Sequence, residues 1–156
     1  MEARRRQPTD PGRPGQAGFT ILEILVVAVI IGIIVSIALV SLMNALDKAR
    51  QRATMADMRT ISKAIEVYMV DQSLPPSSAG GIQALVTVLT PYHSTVLPVT
   101  DHWRHAYTYE SDRAGNYTIA SFGKDGIDGA DISTASRFDF DLDIVLANGV
   151  FVAAPE

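Results

Sequence analysis

One uninterrupted stretch, Ile24 to Leu46, runs for 23 residues without a charge, and it constrains this chain more than any other feature. About 20 consecutive apolar residues make a helix long enough to cross a bilayer. Backbone amides in hydrocarbon must be satisfied within the segment, so a single span has to be helical. A buried core helix is a poor fit to that length and lack of charge. Four arginines (Arg4, Arg5, Arg6 and Arg13) precede the run. Basic flanks stay in the cytoplasm, so the residues after Leu46 are expected on the far side of the membrane. A plain anchor accounts for everything except Glu23, at the leading edge of the run. A charge costs about 2.5–3.5 kcal/mol at a membrane centre and less near the interface, and such residues usually have a partner and a task.

A secretory signal peptide is a poor fit. Its apolar region spans roughly 7–15 residues and ends at an A-x-A-like site. Neither Ala38-Leu39-Val40 nor Met43-Asn44-Ala45 supplies one, and lipoprotein processing needs a cysteine where this chain has none. Residues 1–17 are polar and rich in Arg, Pro and Gln, and are not expected to fold. Gly18-Phe19-Thr20-Ile21-Leu22-Glu23 then opens the apolar helix. That hexapeptide, placed between a basic leader and a long apolar helix, resembles the prepilin peptidase motif of type IV pilins and type II secretion pseudopilins. The resemblance implies cleavage between Gly18 and Phe19 on the cytoplasmic side, and N-methylation of the new Phe19 amine.

Glu23 then has a physical role. Cleavage leaves a cationic amine on Phe19, and in a bundle of identical helices one subunit's Glu23 can meet a neighbour's amine. Two charges that are costly alone in lipid partly neutralise each other. The pair also sets axial register, as a buried polar group does in a coiled coil. Such a contact is head-to-tail and does not close on itself, so it builds a helical filament.

The anchor helix is expected to continue. No Pro or Gly occurs between Ile33 and Leu74, and the stretch from Asp47 to Ala53 is strongly helix-forming. Met58, Ile61, Ile65 and Tyr68, with Met69 beside them, recur at helical spacing, so one helix is expected from about Phe19 to Asp71. Leu74-Pro75-Pro76 and the following Ser and Gly residues end it. Gly81 to Thr90 reads as a short second helix stopped by Pro91. Ala106–Glu110 and Tyr117–Phe122 read as a β-hairpin. Asp143–Ala147 and Val150–Ala153 flank Asn148-Gly149, a dipeptide that favours a type I′ hairpin turn. The expected fold is α+β: a long N-terminal helix, transmembrane and then amphipathic, packed on a small antiparallel β-sheet. The expected divisions are a cytoplasmic leader (1–18), a transmembrane and assembly helix (19–46), and a periplasmic pilin-like domain (47–156).

The order of parts resembles the major pseudopilin of bacterial type II secretion systems across most of residues 18–145. The resemblance rests on Tyr68-Met69-Val70-Asp71 near the helix end, Gly81-Ile82-Gln83-Ala84-Leu85, and Leu97-Pro98 leading to Asp101-His102-Trp103. It continues through Tyr107 and Tyr109 to Ser121-Phe122-Gly123-Lys124-Asp125-Gly126. There are three departures. Val40 stands where many relatives carry Pro. Arg104-His105-Ala106 replaces the usual Gly-Asn-Pro. The final hairpin also extends past the end of compact members.

Six Asp fall between Asp125 and Asp143. Ca²⁺ takes six to eight oxygens from carboxylates and carbonyls in flexible loops, and a small exported domain without disulfides gains from a metal staple. The segment is not an EF-hand, because Ile144 and Val150 occupy the positions of the required Gly and Glu. The family resemblance implies structural calcium, with Asp125 as one ligand. The second carboxylate is open between Asp131 and Asp143, each preceding an Ile, with Asp141 close by. A solvated acidic loop is the plainer reading of the same residues.

Several classes are set aside. Without cysteine there is no disulfide framework and no thiolate zinc site. Without residues 1–18 the chain keeps nine basic and fifteen acidic residues, the wrong balance for nucleic acid. No nucleophile elbow, P-loop or zinc-protease motif occurs, and His102 and His105, three apart, fall in a stretch that reads as turn or strand rather than on the helix such a metal pair needs. The expected role is therefore structural, not enzymatic. The chain is expected to be a single-pass inner-membrane subunit whose C-terminal domain is periplasmic and which polymerises with itself into a helical filament. The resemblance implies as partners prepilin peptidase, an inner-membrane assembly platform with its ATPase, minor pseudopilins and the membrane. A surface type IV pilin, used for adhesion, motility or DNA uptake, is the alternative, and a tethered domain that never polymerises is the third.

Overall fold

The computed structural model describes residues 18–90, 93–112, 114–129 and 139–154. These form two compact units that divide between Leu39 and Val40. Helix α1 (Ile21–Gln72) is continuous through Val40. Thr20 caps its start, its Oγ1 accepting from the Glu23 N–H at 3.2 Å, so one of the four orphan amides of the first turn is satisfied. Its end is equally local. Ser73 turns left-handed at φ 65° and donates to the Met69 carbonyl at 2.8 Å, and Pro75 and Pro76 block further helix.

Within the second unit, α1 buries Met58, Ile61 and Ile65 as the spacing predicts. Opposite them stand Ile82, Leu85 and Leu89 of α2 (Gly81–Leu89) and the inner face of a four-stranded sheet. The strands are β1 (Thr108–Ser111), β2 (Tyr117–Ser121), β3 (Ile144–Ala147) and β4 (Val150–Ala153), adjacent in chain order. All neighbours are antiparallel, and their register places Tyr109, Ile119, Leu146 and Phe151 in one row. That row joins the core under α1. Each large aliphatic side chain buried this way contributes about 1.5–3 kcal/mol.

β4 has the bounds the sequence suggests, while the other three strands are each one residue shorter. β1 begins at Thr108, because residues 100–106 turn back on themselves, with Thr100 bridged to Ala106. The period-two aromatics Tyr107 and Tyr109 imitate a longer strand across that turn. β3 begins at Ile144, which pairs with Ser121, the last residue of β2, and the Asp143 carboxylate accepts the Gly129 N–H at 3.3 Å. The β3–β4 turn has φ 48° at Asn148 and 84° at Gly149, the two left-handed residues that a type I′ turn requires.

Candidate functional site: the helix start and the loop after β2

Two regions carry the sequence-predicted site residues. In the first, Gly18, Phe19 and Thr20 precede α1, and Phe19 is 77% exposed. A Cβ at Gly18 would meet nothing within 4 Å, so no packing demand among the described residues calls for glycine there. Glu23 lies in the first turn of α1, where the helix dipole favours a negative charge. It is the only ionisable side chain between Phe19 and Leu46. The role of Thr20 was missed in the sequence, although Thr20-x-x-Glu23 has the pattern of a capping box. The apolar half of α1 passes the length and composition test for a membrane span and is wholly exposed.

In the second region, the loop after β2 folds back on itself. The Lys124 N–H donates to the Phe140 carbonyl at 2.8 Å. Gly123, at φ 62°, is pressed so close to the other arm that a Cβ would lie 2.7–2.9 Å from the carbonyl oxygens of Phe140, Asp141 and Leu142. Asp125 accepts the Ile127 N–H at 3.0 Å, Asp141 is exposed, and Asp143 is buried. Asp131 lies outside the described residues. Gathered carbonyls and carboxylates are the all-oxygen chemistry that suits a hard divalent cation. Among the described residues, no three carboxylate or imidazole groups converge to hold a metal.

Two buried carboxylates, Asp47 and Asp101, hold this loop and the turn beside it in place. Asp47 of α1 takes the Lys124 ammonium at 2.8 Å and the Arg50 guanidinium at 3.2 Å. The Lys124 hydrogen bond is the main reason Asp47 is held below the usual carboxylate range. Burial opposes it, while the Lys124 charge, the Trp103 indole and Arg50 assist. The indole Nε1 is buried and outside hydrogen-bond geometry, so its effect on Asp47 is the weaker, longer-range kind. The same pair raises Lys124.

Asp101 organises the turn that departs from Gly-Asn-Pro. Its Oδ1 accepts the backbone N–H groups of Trp103 at 2.9 Å and His105 at 2.8 Å, and its Oδ2 accepts the Ser121 hydroxyl at 2.8 Å. Arg104 is held at φ 77°, so the tight turn persists with a side chain in a conformation suited to glycine. His105 Nδ1 lies 3.0 Å from the Gly123 carbonyl, and its ring fills the space where a Gly126 Cβ would go. His102 pairs instead with Asp57 of α1 at 3.1 Å. The two histidines are thus engaged with separate partners. Neither anchor was legible as a site, because Asp47–Lys124 and Asp101–Ser121 join residues far apart in the chain.

Residues 41–136 match the family described as type II secretion system protein G, and residues 13–39 match the prokaryotic N-terminal methylation motif. The first match covers more than half of the chain. The chain belongs to the type II secretion protein G family. It is a type IV pilin-like pseudopilin, and the family is one of structural subunits that assemble with other pseudopilins and the secretion machinery. No curated protein matches the chain. The family match ends before β3, so the pseudopilin's β3–β4 hairpin lies beyond it. The exposed apolar half of α1 fits a membrane-anchored pseudopilin.

Proposed function

We propose that this pseudopilin is a structural, non-enzymatic subunit of a type II secretion pseudopilus that polymerises to drive protein secretion. Prepilin peptidase cuts after Gly18 and methylates the Phe19 amine. Residues 19–46 then lie in the inner membrane, with the following domain in the periplasm. The observation that carries the reading is one continuous helix, apolar and exposed from its first turn, with Glu23 as its only charge before Asp47. The glycine at position 18, which no packing among the described residues requires, answers the peptidase's need for close backbone approach.

An assembly platform and its ATPase add subunits at the base, and minor pseudopilins share the fibre. Glu23 docks against the Phe19 amine of the subunit above, where each charge lowers the other's cost in lipid. Asp125, Asp141 and Asp143, with Asp131, would hold a structural Ca²⁺ beside the carbonyls gathered at Gly123. When bound, that ion would tie the two arms of the loop together.

The test is the intact mass and N-terminal peptide of the protein from its native membrane. A mature chain beginning at Phe19 and heavier by one methyl group is expected. A chain still starting at Met1 would leave a simple anchor and sink the assembly mechanism. A start beyond residue 40 would mean a secreted domain, and the role given to Glu23 would be wrong. Glu23→Ala is expected to abolish filaments, whereas a non-polymerising tether tolerates it.

A further inference from the structure

Residues 47–72 of α1 carry five cations and four carboxylates, and residues 73–156 carry four cations and ten carboxylates, but four of the helix cations share one face, with Glu66 at its far end. At 3.6 residues per turn, Lys48, Arg52, Arg59 and Lys63 fall within an arc of about 60° and span about 23 Å of α1. Arg52, Arg59 and Lys63 are exposed and Lys48 is half-buried. Among the described residues no carboxylate lies within ion-pair distance of any of the four. Arg59 rests its guanidinium on the Phe151 ring at 5.1 Å.

Lipid head groups do not account for the far half of the stripe. Lys63 is about 26 Å along the helix from Leu46, beyond the roughly 8 Å over which a surface charge acts at physiological salt. The complementary surface is on the chain itself. Asp125, Asp128 and Asp141 are exposed on the loop after β2, while the nearby Lys124 is committed to Asp47.

We propose that the basic stripe of α1 docks the acidic loop of a second copy of this chain, with Arg52 facing Asp128, the exposed carboxylate outside the proposed calcium set. This rests on the polymerising reading above and adds the periplasmic contact that orients successive subunits. Complementary patches fix register and reject wrong partners, because like charges placed opposite each other are strongly unfavourable.

The experiment compares filaments sheared from cells producing the full chain as wild type, Arg52→Glu, Asp128→Arg, or both together. Either single reversal is expected to cut filament yield by at least about tenfold. The double swap is expected to restore yield to within about twofold of wild type, since the attraction is rebuilt with its sign exchanged. Protein level and melting temperature, unchanged in every variant, exclude misfolding. Wild-type yield from Arg52→Glu overturns the docking and leaves polymerisation standing. Loss without rescue in the double swap overturns the choice of partner and assigns the stripe to lipid or to a different pseudopilin. No filaments from the wild-type chain overturns both readings.

Discussion

Replacing Asp101 with alanine tests the reasoning about the turn most directly. The Asp101 side chain is 1% exposed and receives two backbone N–H bonds and one hydroxyl bond, all at 2.8–2.9 Å. A hydrogen bond to a charged group contributes about 1.5–3 kcal/mol, and a buried donor left without an acceptor costs about 1–3 kcal/mol. Against this stands the desolvation cost of the carboxylate, which alanine removes. The balance is a loss of about 3–5 kcal/mol for Asp101→Ala. Asp101→Asn keeps the oxygen that receives the two N–H groups and disturbs only the Ser121 contact, so it should lose about 1–2 kcal/mol. For a domain of this size 1 kcal/mol corresponds to roughly 4–8 °C in Tm, so the alanine variant should melt more than about 10 °C lower. Thermal melts of the detergent-solubilised protein, followed by far-UV circular dichroism, read this directly. Trp103, the only tryptophan, reports on the turn independently. A shift below about 4 °C for Asp101→Ala would falsify the claim that this carboxylate holds the turn.

Four further outcomes are expected. The Asp47–Lys124 pair stabilises between its two titrations. Asp47 is depressed, so its contribution is present above the ordinary carboxylate pKa of 3.8 and is lost as pH falls through its lower folded value. Lys124 is raised, so its contribution is present below 10.5 and is lost as pH rises through its higher folded value. The Tm difference between wild type and Lys124→Met should therefore be greatest between those limits and shrink at both ends. Arg104→Gly should raise stability by up to about 1 kcal/mol in urea unfolding, because φ 77° penalises a residue with a Cβ. Gly123→Ala should cost more than about 2 kcal/mol in the same assay, since the three carbonyl oxygens it would strike belong to backbone. About 1 mM Ca²⁺ should raise the melting temperature, reversibly on chelation, and Asp143→Asn should remove that rise.

Some of this protein was readable from local pattern alone. The uncharged run after Gly18-Phe19-Thr20 and the absence of Pro or Gly from Ile33 to Leu74 specify α1, because helical hydrogen bonds and membrane solvation are set by neighbouring residues. The Met58, Ile61, Ile65 periodicity marks the buried face, and Asn148-Gly149 marks its turn by backbone preference. Other features were not readable in this way. The aromatic alternation at Tyr107 and Tyr109 suggests a strand longer than β1, because period-two spacing does not reveal that residues 100–106 turn back. The sequence showed Arg104 in place of glycine, but only the fold shows that the turn survives the exchange. The six aspartates are visible in sequence. That Asp143 is buried beside Gly129 while Asp128 stays exposed is decided by how the two arms of the loop close on each other. The pairing of Asp47 with Lys124, 77 residues apart, likewise belongs to tertiary structure, since periodicity reports only on residues a few positions apart, while long-range ion pairs depend on which surfaces the packed core brings together.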